Sequence, residues 1–207
     1  MQIAILGGTG GIGGHVLGWA LDAGHPVRAL ARRTEALPPR GGLTVIRGDA
    51  LDASAVTETI AGADAVVSAL GPRGANADSL LAGAAANTVA AMDKTGARRL
   101  VAVSAAGAYI TADPDTGWLL KAILPRVFAK HFADVRQMES VIRESGLDWT
   151  VVRATRLVNR PGTGRYRVRP DFPPPHGRTV ARADVAHFIA AALTEDSWLH
   201  EAPAVAY

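Results

Sequence analysis

The sequence has 207 residues, with 22 Lys and Arg against 19 Asp and Glu, a formal net charge of +3 and no cysteine. This length suits one domain, 1–207, with a core of ordinary size. The absence of cysteine excludes disulfides, thiolate metal sites and cysteine nucleophiles. No stretch reaches membrane-spanning length and the first residues lack a basic leader, so we expect a cytoplasmic protein without a membrane partner.

The basic residues do not indicate a nucleic-acid surface. Although the sequence pI is about 9.7, the arginines are scattered, and their densest cluster is RYRVR at 165–169. On a strand these arginines alternate onto one face, because side chains repeat with a period of two. We interpret them as a solvated or anion-facing strand and expect no nucleic-acid partner.

Strands and helices alternate along the chain. Short apolar runs predict strands at 2–6, 27–31, 43–47, 65–69, 99–104, 149–153, 166–168 and 204–206. Helical periodicity predicts helices at 11–23, 54–61, 78–95 and 182–193 and a mostly helical stretch at 118–145, with Ser54 capping the second helix. The alternation predicts a Rossmann-like, doubly wound α/β fold, a mainly parallel sheet with helices on both faces. Substrate-side elements are expected within about 105–180.

A glycine-rich turn, GGTGGIG at 7–13, joins the first strand to the first helix. Its glycines fit two spacings, one beginning at Gly7 and the other at Gly8, and both continue through Gly10 and Gly13. Such turns let the backbone approach a pyrophosphate, and the helix N-terminus presents free N–H groups to the anion. Directly between a strand and a helix, this turn predicts a dinucleotide site.

Two arginines follow the second strand, where an NAD site usually has an acidic residue for the ribose hydroxyls. Here Arg32 and Arg33 come first, and no acid appears before Glu35. A guanidinium at this position pairs with a 2′-phosphate. The sequence therefore favours NADPH (NADP+) as cofactor, and two solvated surface arginines are the alternative.

Further candidate residues follow the third, fourth and fifth strands, on the edge of the sheet where ligands bind. Asp49 and Ala50 follow the third strand, Gly71 comes shortly after the fourth, and Ser104 ends the fifth. We expect these residues to flank adenine, the adenosine ribose and the nicotinamide, respectively. Asp49 and Asp52 are equally suited to form turns or cap a helix.

Several of these motifs together resemble a known family. GGTGGIG, ARR, GDALD, SALG, VSAAG, DVRQMESVIRESGLDWTVVRATRL, GTGRYRV and VARADVAHF are similar to atypical short-chain dehydrogenases/reductases of the NAD(P)H-binding, nitrogen-repressor-like family. In length and order the chain most resembles the biliverdin-IXβ and flavin reductases, over essentially its whole length. The resemblance favours the spacing that begins at Gly7, with Gly8 replaceable by Ala.

The resemblance also implies a set of cofactor-binding residues. These are Gly7, Thr9, Gly10, Gly11, Ile12 and Gly13 at the pyrophosphate, Arg32 and Arg33 at the 2′-phosphate, Asp49 and Ala50 at adenine, Ala69, Leu70 and Gly71 along the adenosine, and Ser104 at the nicotinamide.

The usual catalytic pair of alcohol dehydrogenases in this class, a tyrosine with a lysine four residues on, is absent. Tyr109 and Tyr166 are followed at that distance by Asp113 and Pro170, and Tyr207 is the last residue. The histidines lack the spacing of a helical metal site, so we expect no metal. These absences favour hydride transfer to a conjugated acceptor, such as a flavin or polycyclic quinone, which takes its proton from solvent.

The residues around such an acceptor are also suggested by the sequence. Ser104 is expected beside the nicotinamide, and His131 or Lys130 is a candidate proton donor. Aromatic residues of the same region offer an apolar shelf: Tyr109, Trp118, Phe128 and Phe132. Because aromatics at helical spacing usually pack inward, we expect most of them to belong to the core.

Two other functions remain open from the sequence. One is a redox sensor that binds NADP(H) without turnover, and the other is an epimerase or dehydratase acting on a nucleotide sugar. The missing tyrosine and lysine pair opposes the second. The partner is expected to be a small aromatic or quinone-like molecule, and the chain to be a monomer or homodimer.

Overall fold

A computed structural model describes residues 1–71 and 79–207 of the chain. The strands in chain order are β1 (Ile3–Leu6), β2 (Val27–Ala31), β3 (Leu43–Arg47), β4 (Ala65–Ser68), β5 (Arg99–Ala105), β6 (Asp148–Ala154), β7 (Arg156–Val158), β8 (Arg167–Pro170), β9 (Thr179–Ala181) and β10 (Pro203–Ala206). The α-helices are α1 (Gly11–Asp22), α2 (Ala53–Ile60), α3 (Leu80–Thr95), α4 (Trp118–Val127), α5 (Ala129–Arg143) and α6 (Arg182–Thr194).

Eight strands form one sheet in the order β3-β2-β1-β4-β5-β6-β10-β8. Every neighbouring pair from β3 to β10 is parallel, and only β8 runs antiparallel, against β10. The first strand lies inside the sheet, and the chain winds outward from it in both directions. The predicted Rossmann-like, doubly wound fold is therefore confirmed.

Helices cover both faces of this sheet. Helices α1 and α6 pack together on one face, and α2, α3 and α5 pack in a row on the other. The apolar residues divide into two buried clusters, one beneath each helical layer. All four residues of β1 are fully buried, as expected for a central parallel strand that is covered on both sides.

Two predicted helices differ from the structure. Ser54 is not the cap of α2: Asp52 occupies the N-cap, and its carboxylate accepts hydrogen bonds from the backbone N–H groups of Ser54 and Ala55. A carboxylate two residues before the first free N–H groups reaches them more readily than a hydroxyl already inside the helix. Helix α3 begins at Leu80, and the predicted first residue of that helix, Asp78, lies outside the described residues.

The predicted helical stretch 118–145 is two helices instead of one. Phe128 leaves helical geometry, with φ −110° and ψ 24°, and separates α4 from α5. The two helices are buried very differently, because α5 buries one face against the sheet whereas α4 has no buried residue. Within the described ranges, none of the helices combines the length and apolar character needed to span a membrane.

Two of the short strands after β6 escaped the sequence prediction. Strands β7 and β9 form a separate parallel pair, and β8 is shifted by a residue or two from the predicted 166–168. Runs of three residues are too short to show an alternating pattern, so long-range pairing alone reveals them. In β8 the arginines bind acceptors: Arg167 donates to the carbonyls of Pro175 and Tyr207, and Arg169 pairs with Asp115.

Candidate functional site

A cleft opens at the carboxyl edge of the sheet, where the winding direction reverses between β1 and β4. In open α/β sheets this position is where ligands bind. The cleft has a volume of about 100 Å³. Its lining includes many of the residues that the sequence predicted for a cofactor: Gly7, Thr9, Gly10, Arg32, Asp49, Ala50, Ala69, Leu70 and Gly71.

The turn after β1 needs glycine at two positions. Gly7 has a φ of +90°, and a Cβ there would lie 2.5 Å from the Ala69 carbonyl oxygen. A Cβ at Gly13 would collide with the carbonyl oxygen of Gly7 itself. At Gly8, by contrast, the nearest atom to a Cβ would be the movable end of Leu17, at 3.3 Å, and the side chains of Ala29 and Ile5 would lie at an ordinary 3.7 Å. This geometry favours the glycine spacing that starts at Gly7.

Helix α1 begins directly at this turn and points its N-terminus along the cleft. Its N-cap is Gly10, which has no side chain to satisfy the first N–H groups, and the first turn contains no acidic residue. Those N–H groups and the helix dipole favour an anion at this end. The side chain of Ile12 is buried, and together with Gly11 and Gly13 it lies outside the lining of the cleft.

Arg32 and Asp49 face one another across the mouth of the cleft. The Arg32 side chain is 66% exposed, and its Nη1 lies 3.9 Å from Oδ2 of Asp49. The other oxygen of Asp49 accepts a hydrogen bond from the backbone N–H of Leu51, so Asp49 also forms a turn, as the sequence allowed. Arg33 is exposed and does not line the cleft.

Ser104 lies outside this cleft, in a buried polar cluster at the ends of β5 and β6. Its hydroxyl donates to Oε1 of Glu139, on α5, over 2.5 Å. Arg153, the neighbour of Ser104 in the paired strand, donates through Nε and Nη2 to the same carboxylate, at 3.1 and 2.7 Å. Glu139 is fully buried and Arg153 nearly so, and they form a bidentate ion pair; the exposed Arg143 also lies near this carboxylate, with its Nε 3.7 Å from Oε2 of Glu139.

Tyr109 completes the buried cluster. The Arg153 guanidinium carbon lies 3.6 Å from the centre of the Tyr109 ring. Burial, followed by the negative charge of Glu139, raises the pKa of Tyr109 to about 12, although Arg153 acts in the opposite direction. Burial alone would lower the pKa of Arg153, but hydrogen bonding and charge from Glu139 raise it. Tyr109 therefore keeps its phenolic proton at neutral pH.

His131 and Lys130 lie at the beginning of α5, away from the buried cluster. Glu139, the partner of Ser104, follows His131 by eight residues, or about 12 Å along the helix. The aromatic residues that were expected in the core differ in burial. Phe132 is buried, whereas Trp118 is 79% exposed and Phe128 is exposed as well. That prediction is wrong for Trp118 and Phe128: both side chains lie on the outer side of the segment, and α4 contacts the domain only through its other side in the part of the chain that the structure describes.

A second cavity of about 400 Å³ lies on the other side of the N-terminus of α1. It is lined by Gly11, His15, Val158, Asn159, Arg160, Pro161, Gly162, Arg182 and Ala183. The Arg182 stem lies against Gly11, and its Nη1 donates to Oδ1 of Asn159 at 2.6 Å. Arg182 was not among the predicted site residues, because no local motif links the start of α6 to the turn after β1.

Comparison with known proteins agrees with this geometry. A family model described as NAD(P)H-binding matches residues 7–196. Over 203 residues the chain is 28% identical to an uncharacterized sugar epimerase, YhfK, of Bacillus subtilis, covering 94% of this chain and 89% of that protein.

Two further similarities concern reductases. The (4-alkanoyl-5-oxo-2,5-dihydrofuran-3-yl)methyl phosphate reductase of Streptomyces griseus is 35% identical over 155 residues, which is 73% of this chain and 46% of that protein. The structure of ChuY, an anaerobilin reductase from Escherichia coli O157:H7, superimposes with a TM-score of 0.81 at 26% identity, covering all of this chain and 97% of that one. The sequence-based resemblance to atypical short-chain reductases is thus confirmed.

Proposed function

The chain belongs to the NAD(P)H-binding family, and on that premise we propose that it is an NADPH-dependent reductase that transfers hydride to a conjugated acceptor such as a flavin or polycyclic quinone. The observation that supports this most is the cleft at the switch point. There the glycine turn, Arg32 and the loop at Asp49 meet at one edge of the sheet.

The arrangement around Arg32 favours a phosphorylated ribose. Its side chain is largely exposed, and its carboxylate partner among the described residues is the distant Asp49, at 3.9 Å. A 2′-phosphate offers a doubly charged partner with several acceptors, and an arginine binds it by charge-assisted hydrogen bonds. Adenine then lies against Asp49 and Ala50, and Ala69, Leu70 and Gly71 follow the adenosine ribose. Arg33, which is exposed nearby, adds positive charge at longer range.

The pyrophosphate is proposed to lie at the N-terminus of α1. Gly7, Thr9 and Gly10 let the backbone come close, and Gly11, Ile12 and Gly13 supply the first turn of the helix. The aliphatic part of the Arg182 side chain lies against Gly11. Its guanidinium adds a positive charge to the partial positive charge of the helix N-terminus.

Ser104 is proposed to orient the nicotinamide. Its hydroxyl proton is already donated to Glu139, so the oxygen keeps lone pairs for a donor such as the nicotinamide carboxamide. NADPH supplies two electrons and one hydrogen as hydride. One proton completes the reduction of the acceptor, and it comes from solvent or from His131 on α5. The buried Glu139 and Arg153 hold Ser104 in place, since both are fixed by several hydrogen bonds.

NADPH oxidation in the presence of FMN, riboflavin and a panel of quinones tests the proposal. We expect turnover with at least one of these acceptors and a clear preference for NADPH over NADH. Tight NADPH binding without turnover on any acceptor would instead support a redox sensor. Arg40→Ala is a suitable control for the Arg32 substitution. Arg40 is an exposed arginine that pairs with Asp22, and it precedes β3, at the edge of the sheet opposite the cleft.

A nucleotide-sugar epimerase is the second candidate, because the Bacillus subtilis relative is named as a sugar epimerase. The chain has no tyrosine followed four residues later by lysine, which opposes this chemistry. Incubation with nucleotide sugars, followed by proton NMR, distinguishes the two functions. Formation of an epimer without net NADPH consumption would favour the epimerase.

A further inference from the structure

Helix α4 presents an uncovered apolar surface. In the described part of the chain, the exposed large apolar side chains other than Met1 and Leu51 all belong to the segment 118–128. Leu119, Leu120, Ile123 and Val127 form what we call the apolar face of α4, and Trp118 and Phe128 stand at its two ends. Scattered single apolar residues are ordinary on a surface, but a contiguous group of this kind marks a contact site.

The geometry of the helix explains why these side chains gather on one side. Leu119, Ile123 and Val127 are spaced by four residues, and side chains at that spacing lie one above the other. Leu124 lies about 100° around the helix from Ile123, the middle of this row, and packs against the buried cluster beneath the sheet. The half-buried residues of the helix, Lys121, Ala122, Leu124 and Pro125, face the domain, and the apolar face points away from it.

The surroundings of this face are basic. Lys121 and Arg126 lie on the helix and Lys130 follows it, whereas no Asp or Glu occurs between residues 116 and 133. The acids that border this segment are already engaged. Asp115 pairs with Arg169, and Asp134 accepts hydrogen bonds from the backbone N–H groups of Leu81 and Ala82 at the start of α3.

We propose that α4 binds peripherally to an anionic lipid bilayer, with its apolar face in the interface and its basic residues toward the lipid headgroups. A helix with exposed Leu, Ile and Val on one side, basic residues beside them and Trp and Phe at its ends is suited to lie in the plane of a membrane surface. Each basic residue near an anionic surface adds electrostatic attraction. This proposal revises the sequence-based expectation of a protein without a membrane partner.

The charges favour a bilayer over a second copy of the chain. In a twofold-symmetric contact the same patch meets itself, so the basic residues around α4 would face their own copies without an acidic partner from this segment. An anionic headgroup layer supplies negative charge, which the segment 116–133 does not itself contain. The ten residues of α4 are too few to span a bilayer, which leaves binding in the plane of the surface.

Sedimentation of the full chain with lipid vesicles tests this proposal. We expect co-sedimentation with vesicles of phosphatidylcholine containing about a quarter phosphatidylglycerol, and at least ~10-fold weaker partitioning onto pure phosphatidylcholine. Leu119→Ser combined with Ile123→Ser should reduce binding to anionic vesicles by at least ~10-fold, because two apolar contacts are lost. Lys121→Gln combined with Arg126→Gln should reduce it by a few-fold and weaken its salt dependence.

The matched control is Leu51→Ser. Leu51 is 54% exposed, close to the 53% of Leu119, but it lies in the loop before α2. Binding of this variant should equal that of the original chain. All the substituted side chains are partly or largely exposed, so unchanged circular dichroism and thermal midpoints are expected and are measured alongside.

Three results would overturn the proposal. The first is an absence of binding to anionic vesicles, and the second is equal loss of binding in the Leu119 and Leu51 variants. The third is a dimer, seen by light scattering, that the Leu119 and Ile123 substitutions dissociate, because the apolar face would then be covered by a second copy.

Discussion

The guanidinium carbon of Arg153 lies 3.6 Å from the centre of the Tyr109 ring. The two residues come from the end of β6 and from the short turn after β5, and only the parallel pairing of these strands brings them together. The residue four positions after Tyr109 is Asp113, not lysine, so local sequence does not indicate a cation beside this tyrosine. Arg153 supplies a cation beside Tyr109, but Glu139 holds that cation, and Tyr109 remains a neutral phenol.

The raised pKa of Tyr109 makes the stability of the fold sensitive to alkaline pH. An unfolded tyrosine has a pKa of 10.0, and the folded pKa is about 12. Between these values the unfolded chain has released this proton while the folded chain keeps it, so the free energy of unfolding falls as pH rises. Below the unfolded pKa the contribution is fully present.

Urea denaturation across this pH window, with Tyr109→Phe as comparison, measures the effect. The original chain should lose stability more steeply than the variant as pH rises. The other tyrosines are present in both proteins and cancel in the difference. Identical pH slopes would show that Tyr109 titrates alike in the folded and unfolded chains.

Removing Arg153 should be costly, because it leaves the fully buried Glu139 without its bidentate partner. We expect Arg153→Met to lower the free energy of unfolding by about 3–5 kcal/mol, the range found when one partner of a buried pair is removed. Replacing both residues, with Glu139→Leu and Arg153→Met, should cost less than Arg153→Met alone. Urea denaturation of the original chain, of Arg153→Met, of Glu139→Leu and of the double variant measures the coupling, and additive losses would argue against the pair.

Arg32→Ala should weaken NADPH binding far more than NADH binding. Charged hydrogen bonds contribute about 1.5–3 kcal/mol, so the Kd for NADPH should rise by about 10- to 100-fold. The Kd for NADH, which has no 2′-phosphate, should change by less than about threefold. Fluorescence titration with each nucleotide measures both, and Arg40→Ala serves as the surface control. Equal weakening for both nucleotides would count against a 2′-phosphate contact.

The two glycine spacings predict opposite results at Gly7 and Gly8. Gly7→Ala places a methyl group against the Ala69 carbonyl at positive φ, and it should cost about 1–3 kcal/mol of stability along with NADPH affinity. Gly8→Ala comes closest to the movable Leu17 side chain and should change stability by less than about 1 kcal/mol. A large loss of NADPH affinity in Gly8→Ala would reverse the choice of spacing.

The sequence predicted the sheet, its doubly wound order and most of the cleft residues. The reason is that β1 to β6 are short, mainly apolar runs and the glycine turn is a local signal. It assigned the cap of α2 to Ser54 and left Asp52 open as a turn former or a cap, because both are good capping residues and only the backbone path decides between them. It also missed β7 and β9, whose pairing partners are remote in sequence.

The sequence by itself determined that this chain forms a parallel sheet with a glycine turn suited to a dinucleotide, since periodicity and turn chemistry are local properties. Tertiary structure alone decided that Ser104, Tyr109, Glu139 and Arg153 share one buried cluster, because four separate elements supply them. It also decided that α4 keeps its apolar face uncovered. Burial depends on which elements pack against a helix. An apolar residue that faces the core therefore cannot be distinguished in the sequence from one that faces a partner.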